Sequence, residues 1–312
     1  MELALVSQGK SSYIFKYCTL ILLAVILSVI AGNSVANSLV NSMAQIDKAQ
    51  VQPQSLLVVD TLRQREVPIE LYLPEKSFAC HVDQQCPVMI IGSGYGLLHT
   101  DYQFISQLFQ QNGYLVVAIQ HELATDPALS RTPPFIQTRA ENWQRGAITV
   151  DFILQQSRQY LPEFDFEHVT LVGHSNGGDI SVWLATQGIS LFSESESESE
   201  SESESESESE SESESESNLK PVSSTGYADY IARIITLDHR RVPLPRNANI
   251  TQLSIRASDY PADEGVLPLP SEQVTTISVV TIKDAKHNDM NDYGPQWLKD
   301  EIVNIISEHM QF

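Results

Sequence analysis

The chain has 312 residues, 42% of them hydrophobic and 19% charged, a composition that excludes disordered and fibrous proteins. Its formal net charge is −21, from 19 Lys and Arg against 40 Asp and Glu, and 12 of these acids lie in the strict Ser-Glu alternation from Ser193 to Ser217. The remaining 28 acids describe an ordinary acidic globular protein, and because the sequence has no basic stripe we exclude nucleic acid as a partner.

The N-terminus predicts a secretory signal. Two lysines precede an apolar stretch from Tyr17 to Ala31, which is shorter than the roughly 20 residues of a transmembrane helix. Small-residue cleavage sites end at Ala36 and at Ala44. We expect residues 1–36 to be a signal peptide that is removed, which makes the protein periplasmic or secreted, with no stable membrane span. A retained N-terminal anchor is the alternative.

Two cysteines stand close together outside the signal. Cys80 and Cys86 are separated by five residues, and in an exported protein an even pair at this spacing predicts a small disulfide loop. A metal site would need Cys80, His81 and Cys86 to converge with a fourth ligand, and the sequence offers no second Cys/His pair. The disulfide is therefore preferred, with two free thiols as the other alternative.

Short β-rich runs alternate with helical patterns along the rest of the chain, which predicts one doubly wound α/β domain. Several runs are almost continuously apolar, as are strands that are buried on both faces of a parallel sheet. The first two runs, separated by RQRE, predict an antiparallel hairpin. The predicted strands are Ser55–Thr61, Val67–Leu73, Val88–Ile91, Leu115–Ile119, Val169–Val172, Ile231–Leu237, Gln252–Ala257 and Thr276–Ile282, and the predicted helices are Asp101–Gln111, Arg139–Gln156, Asp179–Gln187 and Gln296–His309.

The domain is expected to span residues 55–312, after a linker at 37–54, and to be interrupted by the Ser-Glu run at 193–217. Because that run buries no apolar surface and repels itself, it predicts a solvated insertion. A tolerated repeat expansion in a surface loop is preferred over an acidic tether or a cation-binding segment.

The strongest motif is Gly173-His174-Ser175-Asn176-Gly177, which follows an apolar strand and opens a helix. A Gly-x-Ser-x-Gly sequence in this context predicts a nucleophile elbow, in which the flanking glycines let strand and helix pass closely. Ser175 Oγ would then point away from the sheet. The backbone N–H of Asn176, at the helix N-terminus, is positioned to stabilise an oxyanion.

A second oxyanion donor is expected in the loop after the third strand. There the sequence reads Ser93-Gly94-Tyr95, which makes the Tyr95 N–H the candidate. The nearby glycines also suggest a dinucleotide site, but Leu97 breaks the Gly-x-Gly-x-x-Gly pattern. The sequence implies no metal and no organic cofactor.

The candidate base is His287, because it lies between the last strand and the last helix, where the histidine falls in the chain order Ser, acid, His. His121, after the fourth strand, is the alternative, and its position more often supports the oxyanion loop. Three aspartates could orient the imidazole. Asp259, directly after the seventh strand, is preferred, and Asp238 and Asp263 are the alternatives.

These motifs together resemble the α/β-hydrolase fold from about Ser55 to the C-terminus, and the resemblance implies a mostly parallel central sheet flanked by helices. The closer resemblance is to dienelactone-hydrolase-like and platelet-activating-factor-acetylhydrolase-like proteins, carried by VVDTLRQREVPIELYLP, GHSNGG and LDHRRVPLP. In the acetylhydrolase-like group the acid lies in a similar Leu-Asp context, which favours Asp238. The usual position after the seventh strand still places Asp259 first. Dienelactone hydrolase differs in using a cysteine nucleophile, so its substrate is not transferred.

The sequence thus predicts an exported serine hydrolase that forms an acyl-enzyme and releases it to water. The expected substrate is a small carboxylic ester, because an alkoxide leaves more easily than an amine. The alternatives are an amidase or peptidase on the same scaffold and, from another class, a non-catalytic binding protein. Acyl transfer to an alcohol instead of water is a less favoured alternative.

Overall fold

The structure is a computed structural model that describes residues 43–75, 78–187, 228–272 and 274–312. The predicted signal peptide and the Ser-Glu run at 193–217 lie outside these residues. None of the helices in the described ranges combines the length and the apolar character that a bilayer crossing requires.

A central sheet organises the described chain. Its strands are Gln54–Asp60 (β1), Arg65–Tyr72 (β2), Cys86–Gly92 (β3), Leu115–Ile119 (β4), Phe164–His174 (β5), Ile231–Leu237 (β6), Thr251–Arg256 (β7) and Ile277–Thr281 (β8). Their order is β1-β2-β4-β3-β5-β6-β7-β8. β2 pairs antiparallel with β1 and with β4, and every other neighbouring pair is parallel. This mostly parallel sheet confirms the predicted fold class.

Each predicted strand is found in the sheet, with changes at the ends. The largest change is at β5, which begins at Phe164 rather than Val169. Glu167 and His168 are exposed and interrupt the apolar pattern, although Phe164 and Phe166 before them are buried in the core. Residue type alone therefore predicts only the continuous apolar part of this strand.

Helices cover both faces of the sheet. They are Gln103–Gln111 (α1), Phe135–Thr138 (α2), Ala140–Tyr160 (α3), Asn176–Gln187 (α4) and Gln296–Met310 (α5). α3 and α4 pack in one apolar cluster, and α1 and α5 pack in a second. In β3, Val88 and Ile90 face the first cluster while Met89 and Ile91 face the second. This burial on both faces explains the continuous apolar runs in the sequence.

A disulfide joins Cys80 to Cys86, the first residue of β3. This confirms the predicted pairing. The bridge closes a short loop in which His81 and Gln84 pair as an isolated β-bridge. The bond therefore attaches the chain that leads into the sheet to the first residue of a central strand.

The carboxyl ends of six parallel strands, β3 to β8, lie at one edge of the sheet. In open α/β sheets, ligands bind at this edge. The loops that begin there carry Tyr95, Ser175, Asp238, Asp259 and His287, so the topology places these five candidates at the same edge.

Candidate active site

Ser175 forms a sharp turn between β5 and α4. It has a φ of 51°, in the left-handed region that non-glycine residues rarely adopt, and its N–H donates to the Leu237 carbonyl at 2.9 Å. A Cβ added to Gly173 would overlap the backbone of Gly177, and one added to Gly177 would overlap the backbone of Gly92. Strand and helix therefore pass as closely as the elbow requires, and only glycine fits at both flanking positions.

His287 contacts Ser175 although its loop follows β8, which is three strands away from β5 in the sheet. It begins a short 3₁₀ turn, His287–Asp289, after β8. Its Nε2 lies 2.9 Å from Ser175 Oγ. This is the distance at which an imidazole can accept the hydroxyl proton of a nucleophile. His287 is mostly buried, so the contact is largely shielded from water.

The other ring nitrogen of His287 meets Asp238. Asp238 directly follows β6, has a φ of 49° and is fully buried. Its Oδ2 lies 2.5 Å from His287 Nδ1. Burial alone would raise the pKa of Asp238, but the hydrogen bond from His287 and the positive charge of Arg256 outweigh it and lower the pKa below the usual value. Asp238 is therefore an anion next to the imidazole.

The preference for Asp259 as the partner of the imidazole is corrected by this geometry. Asp259 Oδ1 accepts a hydrogen bond from the backbone N–H of His287 at 3.0 Å and so fixes the loop rather than the ring. Asp263 forms an ion pair with Arg241. The physical reason is the strand order, since β6 is the direct neighbour of β5, which leads into Ser175, while β7 is one strand further away. The Leu-Asp context was the sequence signal for Asp238.

His121, the alternative base, does not contact Ser175. It is buried, and a Cβ added to Gly92 would overlap its ring. Burial and the positive charge of Arg65 lower its pKa to about 3, so it is neutral. His121 thus packs beneath the start of the loop that carries Tyr95.

The candidate oxyanion donors lie on two elements. Asn176 is the first residue of α4, where the backbone N–H groups have no partner within the helix. Tyr95 lies in the loop after β3, and its side chain is partly exposed and accepts a hydrogen bond from the Leu129 N–H at 3.2 Å. The structure therefore places both residues at the carboxyl edge of the sheet.

A buried polar network holds the side chain of Asn176, which sequence reasoning missed. Its Oδ1 accepts from Trp143 Nε1 at 3.0 Å, and its Nδ2 donates to Asn142 Oδ1 at 2.9 Å and to Glu122 Oε1 at 3.1 Å. Asn142 and Trp143 belong to α3, so a helix distant in sequence fixes the residue next to Ser175. No local motif in the sequence indicates this contact.

A second buried network joins three loops of the site. His174 Nε2 lies 2.9 Å from the His287 carbonyl oxygen, which can only accept, so Nε2 carries the proton. His174 Nδ1 therefore accepts from the Tyr102 hydroxyl at 2.7 Å, and Tyr102 Oη accepts from the Gly94 N–H at 3.0 Å. Burial and the proximity of His287 lower the pKa of His174 to about 3, which keeps it neutral. The loop next to Tyr95 is thereby coupled to the loop that carries His287.

Within the described ranges, no three His, Cys, Asp or Glu side chains converge as metal ligands. The charged and polar groups at the sheet edge instead contact one another, as the Asp238, His287 and Ser175 contacts illustrate. The arrangement places the hydroxyl of Ser175 next to the imidazole of His287, which in turn lies next to the carboxylate of Asp238.

The sequence matches none of the protein-family models and none of the curated proteins with which it was compared. Among solved structures, esterase 2 of Thermogutta terrifontis phosphorylated by paraoxon matches with a TM-score of 0.53 at 9% identity, covering 82% of this chain and 93% of that one. The same esterase with bound butyrate matches with a TM-score of 0.53 at 8% identity, covering 82% of this chain and 92% of that one. Dienelactone hydrolase from Anabaena variabilis gives only 0.47 at 13% identity, covering 83% and 98%. The esterase matches show that this chain has the α/β-hydrolase fold.

Proposed function

We propose that this protein is a serine hydrolase that cleaves small carboxylic esters. The observation that carries the proposal is the continuous contact from Ser175 Oγ to His287 Nε2 at 2.9 Å and from His287 Nδ1 to Asp238 Oδ2 at 2.5 Å. A hydroxyl, an imidazole and a carboxylate in this order form the arrangement that activates serine as a nucleophile. The fold shared with an esterase supports the same reaction class.

The proposed reaction has two halves. Ser175 Oγ attacks the ester carbonyl carbon while His287 Nε2 takes its proton, and the tetrahedral intermediate then expels the alcohol, which receives that proton. Water, deprotonated by His287, attacks the acyl-enzyme, and collapse of the second intermediate releases the acid and restores Ser175. In both halves the backbone N–H groups of Asn176 and Tyr95 are the proposed oxyanion donors, and Asp238 stabilises protonated His287.

A small acyl group is the proposed substrate feature. The matching esterase 2 structures include one with bound butyrate and one with bound propionate. Because the folds are similar, we propose that this protein also acts on esters with a short acyl chain. Esters are preferred over amides because an alkoxide leaves more readily than an amine.

Turnover of p-nitrophenyl acetate, butyrate and decanoate by the purified protein tests the proposal. We expect hydrolysis that is fastest for the short acyl chains and that falls by at least about 10³-fold in Ser175→Ala. Ser278→Ala, at an exposed position in β8, is the matched control and keeps full activity. Absence of turnover by the folded wild type would instead favour a non-catalytic binding protein.

We also propose that the protein is exported. The apolar segment from Tyr17 to Ala31 and the Cys80–Cys86 disulfide support this, because disulfides persist in oxidising compartments. Fractionation of cells that express the full chain tests it. Recovery of the protein in the cytosol with free thiols would contradict export.

A further inference from the structure

Arg256 lies behind the candidate acid. It is the last residue of β7, and only 5% of its side chain is exposed. Its Nη2 lies 2.7 Å from Asp238 Oδ1, and its Nη1 donates to the carbonyl oxygen of His239. A buried arginine is thus paired with the carboxylate that contacts the imidazole.

We propose that Arg256 is a positioning residue that holds Asp238 against His287 and, by its charge, extends the activity of the site to lower pH. This inference rests on the proposed serine hydrolase reaction. Arg256 acts through Asp238 and is not proposed to touch the substrate.

The two oxygens of Asp238 have separate partners. Oδ2 meets His287 Nδ1 at 2.5 Å, while Oδ1 accepts from the Ala257 N–H at 3.1 Å and pairs with Arg256. Both anchors of Oδ1 come from the carboxyl end of β7. Because the arginine charge does not titrate, Asp238 stays ionised and keeps one orientation.

The charge of Arg256 is also close to the imidazole, because Arg256 pairs with the carboxylate that His287 contacts. A carboxylate beside an imidazole favours its protonated form, and a neighbouring cation offsets part of that effect. The other groups that face this pair are Arg240, whose Nε lies 4.0 Å from Asp238 and whose side chain is 20% exposed, and the neutral histidines His174 and His239. Asp259 binds the backbone of His287, and Ser175 is uncharged. Arg256 is therefore the nearest and most shielded cation.

Two substitutions separate charge from shape. Arg256→Met removes the cation, so His287 accepts a proton more easily, and the acidic limb of the profile of labelling rate against pH moves to higher pH by about one unit. Arg256→Lys retains the charge, and its acidic limb stays close to that of the wild type. Arg240→Met is the matched control. Because Arg240 is more distant and more exposed, its removal shifts the limb by less than Arg256→Met does.

The profiles are measured between pH 5.5 and 9 from the rate of fluorophosphonate labelling, with the folded fraction followed by circular dichroism at each pH. An unshifted limb in Arg256→Met would overturn the proposal, and so would a limb that moves equally far in Arg256→Lys. If Arg256→Met does not fold, Arg256→Gln provides the charge-free comparison, because its amide can still donate to the His239 carbonyl.

An NMR titration of the His287 ring separates this inference from the proposed function. The signal is assigned by its loss in His287→Gln. Failure of the wild type to label would contradict the serine hydrolase. In that case, a His287 titration that moves to higher pH in Arg256→Met would still support the role of Arg256, and an unchanged titration would refute it.

Discussion

At the residue scale, two carboxylates contact His287, and they contact different atoms. Asp238 meets the ring nitrogen Nδ1, while Asp259 accepts from the backbone N–H. Only a group on the ring can select the tautomer that leaves Nε2 free to accept a proton. The two aspartates therefore have separate roles, one electrostatic and one structural.

Asparagine substitutions distinguish these roles with little change in shape. We expect Asp238→Asn to lower kcat by about 10³- to 10⁴-fold, because an amide can hold the wrong tautomer and does not stabilise protonated His287. Asp259→Asn keeps a carbonyl oxygen that can accept from the same N–H, and we expect a loss below about tenfold. Steady-state kinetics on p-nitrophenyl butyrate measure both. A greater loss of kcat in Asp259→Asn than in Asp238→Asn would indicate that Asp259 is the acid instead.

At the element scale, the site depends on contacts between loops that follow different strands. The chain of hydrogen bonds from Gly94 through Tyr102 and His174 to the His287 carbonyl joins the ends of β3, β5 and β8. Because these loops carry the candidate oxyanion donor, nucleophile and base, their relative positions depend on this chain.

Tyr102→Phe tests that coupling. The substitution leaves the buried Gly94 N–H and His174 Nδ1 without their partner, at a cost of about 1–3 kcal/mol. We expect kcat/KM to fall about 10- to 100-fold in the folded variant, since small displacements of reacting groups are costly. Tyr72→Phe is the control, because Tyr72 is equally buried in the same cluster but lies outside the chain. Equal losses in the two variants would contradict the coupling.

The sequence predicts the elements better than the contacts between them. Apolar periodicity locates the strands, and the Gly-x-Ser-x-Gly motif places Ser175, because both are local patterns. The partner of His287 depends on strand order, which places β6 beside β5, and the resemblance alone favoured Asp238. The contacts of Asn176 and Arg256 join residues far apart in the chain, and a single sequence contains no local pattern that pairs them.

At the scale of the whole molecule, burial of histidines links stability to pH. His121, His174 and His239 are buried, and desolvation lowers the pKa of each to about 3. In the unfolded chain a histidine titrates near pH 6.5, so below that pH the unfolded state binds protons that the folded state does not. The stability is therefore complete above about pH 6.5 and is lost as the pH falls toward 3.

His239→Met measures one part of this effect. His239 is fully buried, and methionine fills a similar volume without a group that titrates. Urea unfolding at pH 7 and pH 5 should show that the wild type loses about 2 kcal/mol more than the variant over this interval. His168→Asn, at an exposed position, is the control and follows the wild type. Equal pH dependence in wild type and His239→Met would contradict the account.

The central claim is that Ser175 is a nucleophile activated by His287 and Asp238. The most direct measurement is peptide mass spectrometry of the protein after reaction with a fluorophosphonate, which transfers a phosphonyl group to an activated serine and releases fluoride. The account predicts one adduct, on Ser175, that is lost in His287→Ala while the fold is retained. An unlabelled folded wild type, or an adduct on another residue, would contradict it.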